Sequence, residues 1–309
     1  MNNVTQRTKT HQKGVRSVLV KLGETRALRR PPATSGYGMC MSIQTDRART
    51  FLALHRAGDP LLLPNPWDQG SARVLASLGF SALATTSSGL AATAGRPDGG
   101  VSREEALTHA AEIVAAVGIP VSADLEDCFA ADAAGVAETV TLAIATGLAG
   151  CSVEDYSRRE DEPIYEISLA AERVAAAAEA AHAGSFVLTA RAENYLHGRR
   201  DPADTIARLQ AYQEAGADVL YAPGLTSITD IQTVLREVDR PVNVLAMPGV
   251  PPVAELAAAG VSRISVGGAF AFAAVGALVS AATELRDQGT YGFRTASALG
   301  RDAAERAFS

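Results

Sequence analysis

The chain repeats one alternation eight times: a short apolar, β-branched run, then an Ala-rich stretch of helical character, with Gly or Pro at the joints. The runs are Leu61–Pro64, Ala82–Thr86, Pro120–Asp124, Gly150–Glu154, Phe186–Arg191, Val219–Ala222, Val242–Ala246 and Ile264–Gly267. Between them lie Gly70–Leu78, Ser102–Val117, Gly135–Thr146, Ser168–Ala183, Pro202–Ala215, Ile228–Glu237 and Val253–Ala259. Runs that stay apolar throughout belong to strands covered on both faces, and intervening helices favour parallel pairing. Leu78-Gly79-Phe80, Ala215-Gly216-Ala217 and Ala259-Gly260-Val261 share a Gly where a helix closes in a left-handed residue before the next strand. Eight such units predict a closed (β/α)8 TIM barrel. An open doubly wound sheet is the alternative, weakened because no G-x-G-x-x-G follows the first run. Two extra C-terminal helices, Ala269–Gln288 and Arg294–Phe308, follow the eighth run, with Ala-rich faces suited to the barrel or to a neighbouring subunit.

Composition removes several function classes. The 309 residues are 47% hydrophobic, enough for one large core, and the net charge of -6 gives a nucleic-acid partner no electrostatic support. Cys40, Cys128 and Cys151 are too scattered for a disulfide framework or a zinc site, which fits a reducing cytoplasm. No membrane association is expected: apolar runs fall short of the roughly 18 to 20 residues needed, and the longest, Ala269–Ala282, is Gly-interrupted and reads as a buried helix. The first 40 residues carry Arg7, Lys9, Lys13, Arg16, Lys21, Arg26, Arg29 and Arg30 against one acid, Glu24. Either a transit peptide or a disordered extension has this composition; the extension is preferred, so residues 1–40 are set apart from a barrel domain over 41–309.

In such a barrel the chemistry sits at strand C-termini and the loops just after them. Those positions hold Thr86-Ser87-Ser88-Gly89-Leu90 and Asp98, then Asp124, Glu126, Glu154, Arg191 and Asn243. Asp124 and Glu126, two apart, share one face if the segment is extended, and two neighbouring carboxylates repel unless a cation intervenes. Mg2+ is the natural one, a hard ion content with few carboxylates plus waters; Mn2+ is the alternative. Helix capping or solvation of these acids is the bland alternative. Arg191 offers a planar fork to a carboxylate, or else a structural ion pair with Glu193 or Glu154. Ser88-Gly89 offers a hydroxyl and open backbone N–H groups, and Asn243 in an apolar strand needs a partner. His197 after the fifth run and Trp67 after the first are weaker candidates.

These residues, with their neighbours, resemble the isocitrate lyase/phosphoenolpyruvate mutase superfamily from Ser42 to about Gln288. The resemblance rests on seven short pieces in order: Asn65-Pro66-Trp67-Asp68, Ser87-Ser88-Gly89-Leu90, Gly95-Arg96-Pro97-Asp98, Ser122-Ala123-Asp124-Leu125-Glu126, Val153-Glu154-Asp155, Thr189-Ala190-Arg191 and Pro241-Val242-Asn243-Val244. It implies a Mg2+-bound small 2-oxo or 2-hydroxy carboxylate, with Asp124 holding the metal and Asp98, Glu126 and Glu154 around it. It further implies that Ser88 and Gly89, flanked by Thr86 and Leu90, bind substrate carboxylate, that Arg191 contacts substrate oxygens, and that subunits form dimers or tetramers with exchanged C-terminal helices.

Departures narrow the chemistry. The Lys-Arg-Cys-Gly-His loop of the isocitrate and methylisocitrate lyases is replaced by Asp155-Tyr156-Ser157-Arg158-Arg159-Glu160-Asp161-Glu162-Pro163, which also lacks the Lys and Asn of the mutases. A Schiff base is disfavoured, since no lysine follows Lys21. The expected function is a Mg2+-dependent carbon–carbon lyase of oxaloacetate-decarboxylase or substituted-malate type, acting through an enolate. A carbon–phosphorus enzyme, and a non-catalytic metabolite-binding barrel, are the alternatives.

Overall fold

The computed structural model describes residues 35–309, so the basic segment 1–34 lies outside the described residues. Helix α1 (Ser35–Ala53), which no sequence signal pointed to, begins inside the stretch assigned to an extension. Polar residues interrupt its apolar positions, so no clear stripe marks it in the sequence, yet its C-terminal half closes the barrel floor. Phe51 is fully buried in a cluster with Leu61, Leu63, Ala149, Val187 and Val219, and Gln44 and Arg47 donate to the carbonyls of Leu148 and Gly147.

Eight strands follow: β1 (Leu61–Leu63), β2 (Leu83–Ala84), β3 (Val121–Asp124), β4 (Gly150–Glu154), β5 (Val187–Arg191), β6 (Val219–Tyr221), β7 (Val242–Leu245) and β8 (Arg263–Ser265). All pairs are parallel, in the order β1-β8-β7-β6-β5-β4-β3-β2. The seam between β1 and β2 is bridged by the Ala84 N–H donating to the Pro64 carbonyl at 3.2 Å. The TIM barrel expected from the alternation is therefore present; β1, β2, β6 and β7 end short of their apolar runs, whose last residues leave the ladder, while β3, β4 and β5 run to the predicted ends Asp124, Glu154 and Arg191. The outer helices are α2 (Gln69–Ser77), α4 (Arg103–Ala116), α5 (Ala133–Ala145), α6 (Ile167–Ala183), α7 (Pro202–Glu214), α8 (Ile228–Glu237) and α9 (Val253–Ala259). The joint glycines Gly79, Gly216 and Gly260 take φ of 90, 104 and 100°, as the repeated phrase requires.

Two sequence expectations change here. Ser87–Thr93 is a short helix, α3, not an open turn: Thr86 caps it by accepting the Gly89 N–H at 3.4 Å, so that donor is already engaged. The second concerns α10 (Ala269–Gln288), expected to be buried. It is 20 residues long and apolar enough to cross a membrane, yet within this chain only Ala271 is buried. Phe272, Leu278 and Val279 are more than half exposed because no element among the described residues covers that face. The last helix, α11 (Arg294–Phe308), lies against α2 of the same chain.

Candidate active site

The strand ends converge on Arg191. Its guanidinium meets Asp124 Oδ1 at 3.1 Å, Glu154 Oε2 at 3.2 Å and Glu193 Oε1 at 2.7 Å, and lies over the Tyr221 ring at 5.1 Å. The register explains the meeting: Glu154 is opposite Arg191, Arg191 is opposite Tyr221, and Asp124 pairs with Ser152 one strand away. Burial pushes the Glu154 carboxyl well above the ordinary carboxylate range although Arg191 draws it down, and Glu193 is raised for the same reasons. Three acids share one guanidinium, so their full ionisation would leave an excess of negative charge, which a further cation would offset. The ion pair with Glu154 and Glu193 that competed with a substrate role for Arg191 is thus formed, and Arg191 still faces the cavity.

Asp124 and Glu126 do not share one face of an extended segment. β3 ends at Asp124, and Glu126, Cys128 and Phe129 take φ of 53, 61 and 53°, the left-handed region that residues with a side chain seldom adopt. The turn is held from several sides. Arg173 on α6 donates to the carbonyls of Asp127 at 2.7 Å and Ala130 at 3.0 Å, and Thr139 donates to that of Cys128 at 2.8 Å. Glu126 consequently faces Arg158, from the loop after β4, which pairs with it and also donates to the Gly99 carbonyl at 3.3 Å. The other Glu126 oxygen, Oε1, is buried without a hydrogen-bond partner.

Two compartments occupy the mouth and share Ser87, Asp98, Arg191 and Leu196. The inner one, about 260 Å3, reaches down the barrel axis past Thr86, Ser88, Asp124 and Asn243. The outer one, about 480 Å3, is bounded by Glu126, Glu154, Tyr156, Arg158, Glu193 and His197, where Tyr156 and His197 stack with ring centroids 3.9 Å apart. Of the residues named from sequence, Thr86, Ser88, Asp98, Asp124, Glu126, Glu154, Arg191 and Asn243 line these compartments. Gly89 and Leu90 do not. Gly89 is a packing glycine, since a Cβ there would come within 2.5 Å of the Thr86 side chain, and Leu90 packs against the core. Trp67 lines an outer groove beside His109, whose ring contacts its carbonyl at 3.0 Å.

The carboxylates supply hard oxygen donors, and Glu126 Oε1 and the charge excess around Arg191 both suit a divalent cation. Among the described residues no three acidic, His or Cys side chains close on one point. Arg191 stands between Asp124 and Glu154, and Arg158 takes Glu126, so each of these acids has a guanidinium partner.

Sequence reading missed Asp155, which is 3% exposed and anchors the mouth from behind, and Arg158, which spans the two loops. It also missed Arg263, placed one residue outside the eighth run although a charged residue amid Val261-Ser262-Arg263-Ile264 was a visible signal.

A family model, phosphoenolpyruvate phosphomutase, matches residues 51–286. A crystal structure from Burkholderia cenocepacia J2315, provisionally assigned as a lyase/mutase, is 53% identical with a TM-score of 0.83, covering 87% of this chain and 97% of its own. The uncharacterized Mycobacterium tuberculosis protein Rv1998c is 32% identical over 71% of this chain and 81% of its own length. Oxaloacetate decarboxylase of Chromohalobacter salexigens is 26% identical over 81% of this chain and 88% of its own. With the barrel, the strand-end acids and Arg191 in place, the chain belongs to the phosphoenolpyruvate phosphomutase family, among the lyases and mutases of the isocitrate lyase/phosphoenolpyruvate mutase superfamily.

Proposed function

We propose that this enzyme is a Mg2+-dependent carbon–carbon lyase acting on a small 2-oxo or 2-hydroxy carboxylate, of oxaloacetate-decarboxylase or substituted-malate type. The observation that carries the reading is Arg191, partly buried among Asp124, Glu154 and Glu193 and facing a cavity of about 260 Å3. That volume lies just below the usual range for ligand sites, about 300 to 1,000 Å3, and suits a small acid. Asp124, Glu126 and Glu154 would hold the metal, with Mn2+ a substitute. When bound, Mg2+ supplies a Lewis acid that polarises the carbonyl beside the bond to be broken.

The chain's own groups do the rest. Cleavage beside a carbonyl leaves an enolate, and the Arg191 guanidinium, fixed by three acids, stabilises that negative charge without reorganising. Thr86, Ser88 and Asn243 offer neutral polar groups to substrate oxygens, and Asp98 lines both compartments at their junction. Decarboxylation needs no dedicated acid, because the enolate takes its proton from solvent. This suits a mouth in which Cys128 is fully buried and burial pushes its thiol up to about 12.

Carbon–phosphorus chemistry is less well supported. A phosphonate would bring more negative charge into a mouth whose arginines are already engaged, Arg191 by three acids and Arg158 by Glu126. A binding-only barrel would leave the acid-ringed Arg191 without a role. The exposed apolar face of α10 supports a homodimer or homotetramer in which a second copy covers it, α10 being exchanged between subunits while α11 stays on α2 of its own chain. Cys128 and Cys151 are free and buried, which suits the cytoplasm. The reading is tested by turnover of 2-oxo and 2-hydroxy diacids with Mg2+ and with chelator.

A further inference from the structure

Below the acid cluster the inner cavity changes sign. Its deeper walls are Ser122, Ser152, Thr189, Asn243, Ser265 and Arg263, and Arg263 is the only charged group among them. Arg263 is 4% exposed and, among the described residues, forms no ion pair with any carboxylate. Its Nη1 donates to Thr189 Oγ1 at 3.1 Å and meets His55 Nε2 at 3.3 Å. The His55 Nδ1 lies 2.9 Å from the Phe51 carbonyl, so that nitrogen carries the proton and Nε2 accepts from Arg263. Arg263 Nε is buried with no partner, and so is Asn243 Oδ1. Among the described residues Arg173 also has an orphan Nε, and an orphan Nη1, but it lies outside the cavity, where its Nη2 donates to two carbonyls and its guanidinium lies over the Tyr165 ring.

An unpaired guanidinium in a dry interior is costly unless a counter-charge arrives. Burial, with the like charge of Arg191 added, lowers the Arg263 pKa to about 10, so the group is charged at neutral pH. At the rim, by contrast, the Arg191 guanidinium is already shared by three acids. The floor is therefore where this cavity receives negative charge.

We propose that Arg263, with Asn243 and Thr189, forms an anion subsite at the barrel floor that receives the second carboxylate of the substrate. This rests on the lyase reading and gives the second carboxylate of an oxaloacetate- or malate-type substrate its place: one end lies at the acid rim with the metal and the other descends to Arg263. Monocarboxylates of similar size leave the floor unfilled.

The test is calorimetric titration of the full-length protein, with Mg2+ present, using malate and lactate. The two share a 2-hydroxycarboxylate end and differ in the second carboxylate. Malate is expected to bind at least about tenfold more tightly, the scale of a charge-assisted hydrogen bond. Arg263→Gln removes that advantage and leaves lactate unchanged. Equal affinities in the wild type, or a malate advantage that survives in folded Arg263→Gln, overturn the subsite while the lyase reading stands. Binding of neither acid overturns both. Should Arg263→Gln not fold, sodium formate added to the wild type must weaken malate and spare lactate. Formate that weakens both equally, or neither, overturns the subsite, and formate that stabilises the protein without affecting malate marks a resident free anion and overturns the substrate assignment.

Discussion

The carboxylate of Asp155 accepts the backbone N–H of Glu193 at 2.8 Å, tying the loop after β4 to the loop after β5 directly behind Arg191. Its second oxygen takes the Arg208 guanidinium at 3.0 Å and the Tyr212 hydroxyl at 2.5 Å, all three groups being buried. Asp155→Ala strands the Tyr212 hydroxyl and leaves Arg208 with Asp204 and the Tyr165 carbonyl alone, and each buried polar group left unsatisfied costs about 1 to 3 kcal/mol. Urea unfolding is expected to show that loss. A change below about 1 kcal/mol would mean that the network is not structural.

Arg158 joins Glu126 to the Gly99 carbonyl and so pins the segment between β4 and α6 across the mouth. Arg158→Ala frees that segment while touching little of the core. Cleavage after Glu160 by a Glu-specific protease is expected to accelerate about 5- to 30-fold, corresponding to the loss of one or two kcal/mol of local stability. Unchanged cleavage would show that other contacts hold the loop.

Burial first, and the Arg263 charge second, lower His55 from 6.5 to about 3. The folded protein therefore keeps His55 neutral while the unfolded chain protonates it. Stability from this residue is complete above pH 6.5, declines as pH falls, and is gone once pH passes through the folded value. The slope is at most about 1.4 kcal/mol per pH unit. His55→Gln keeps a neutral hydrogen-bonding group and is expected to flatten the profile between pH 6.5 and 4 relative to wild type. Parallel urea-unfolding profiles for the two proteins would contradict this.

The uncovered face of α10 includes Phe272, Leu278 and Val279. Sedimentation velocity is expected to give a dimer or tetramer, and Leu278→Glu to raise its dissociation constant at least about 30-fold, as charge in an apolar interface should. A wild-type monomer at micromolar concentration would remove the proposed oligomer.

How much of this was legible depends on whether the signal was local. β4 and α9–α11 match their apolar or Ala-rich runs to the residue, because Gly and Pro mark their ends. Arg191, Asp124 and Glu154 could be named because strand ends in a parallel barrel converge. α1 was not legible, since its meaning lies in Phe51 packing with residues spread along the chain from Leu61 to Val219. The geometry of Glu126 was hidden as well: no glycine marks the three left-handed residues from Glu126 to Phe129, and Arg173, which holds them, lies on another helix. Arg263 was lost by starting the eighth strand one residue late. Asp155 read as one more acid in an acidic loop, and its partners Arg208 and Tyr212 lie more than 50 residues on.

The central claim is Mg2+-dependent cleavage that relies on Asp124 and Arg191. Its most direct measurement is a coupled assay of pyruvate release from oxaloacetate, substituted malates, methylisocitrate and phosphonopyruvate, with Mg2+ and with chelator, the metal-driven background being subtracted. Release is expected from a diacid of the oxaloacetate or substituted-malate class, abolished by chelator and cut about 100-fold or more by Asp124→Ala. Release that persists with chelator and in Asp124→Ala, or that comes from phosphonopyruvate alone, would contradict the account.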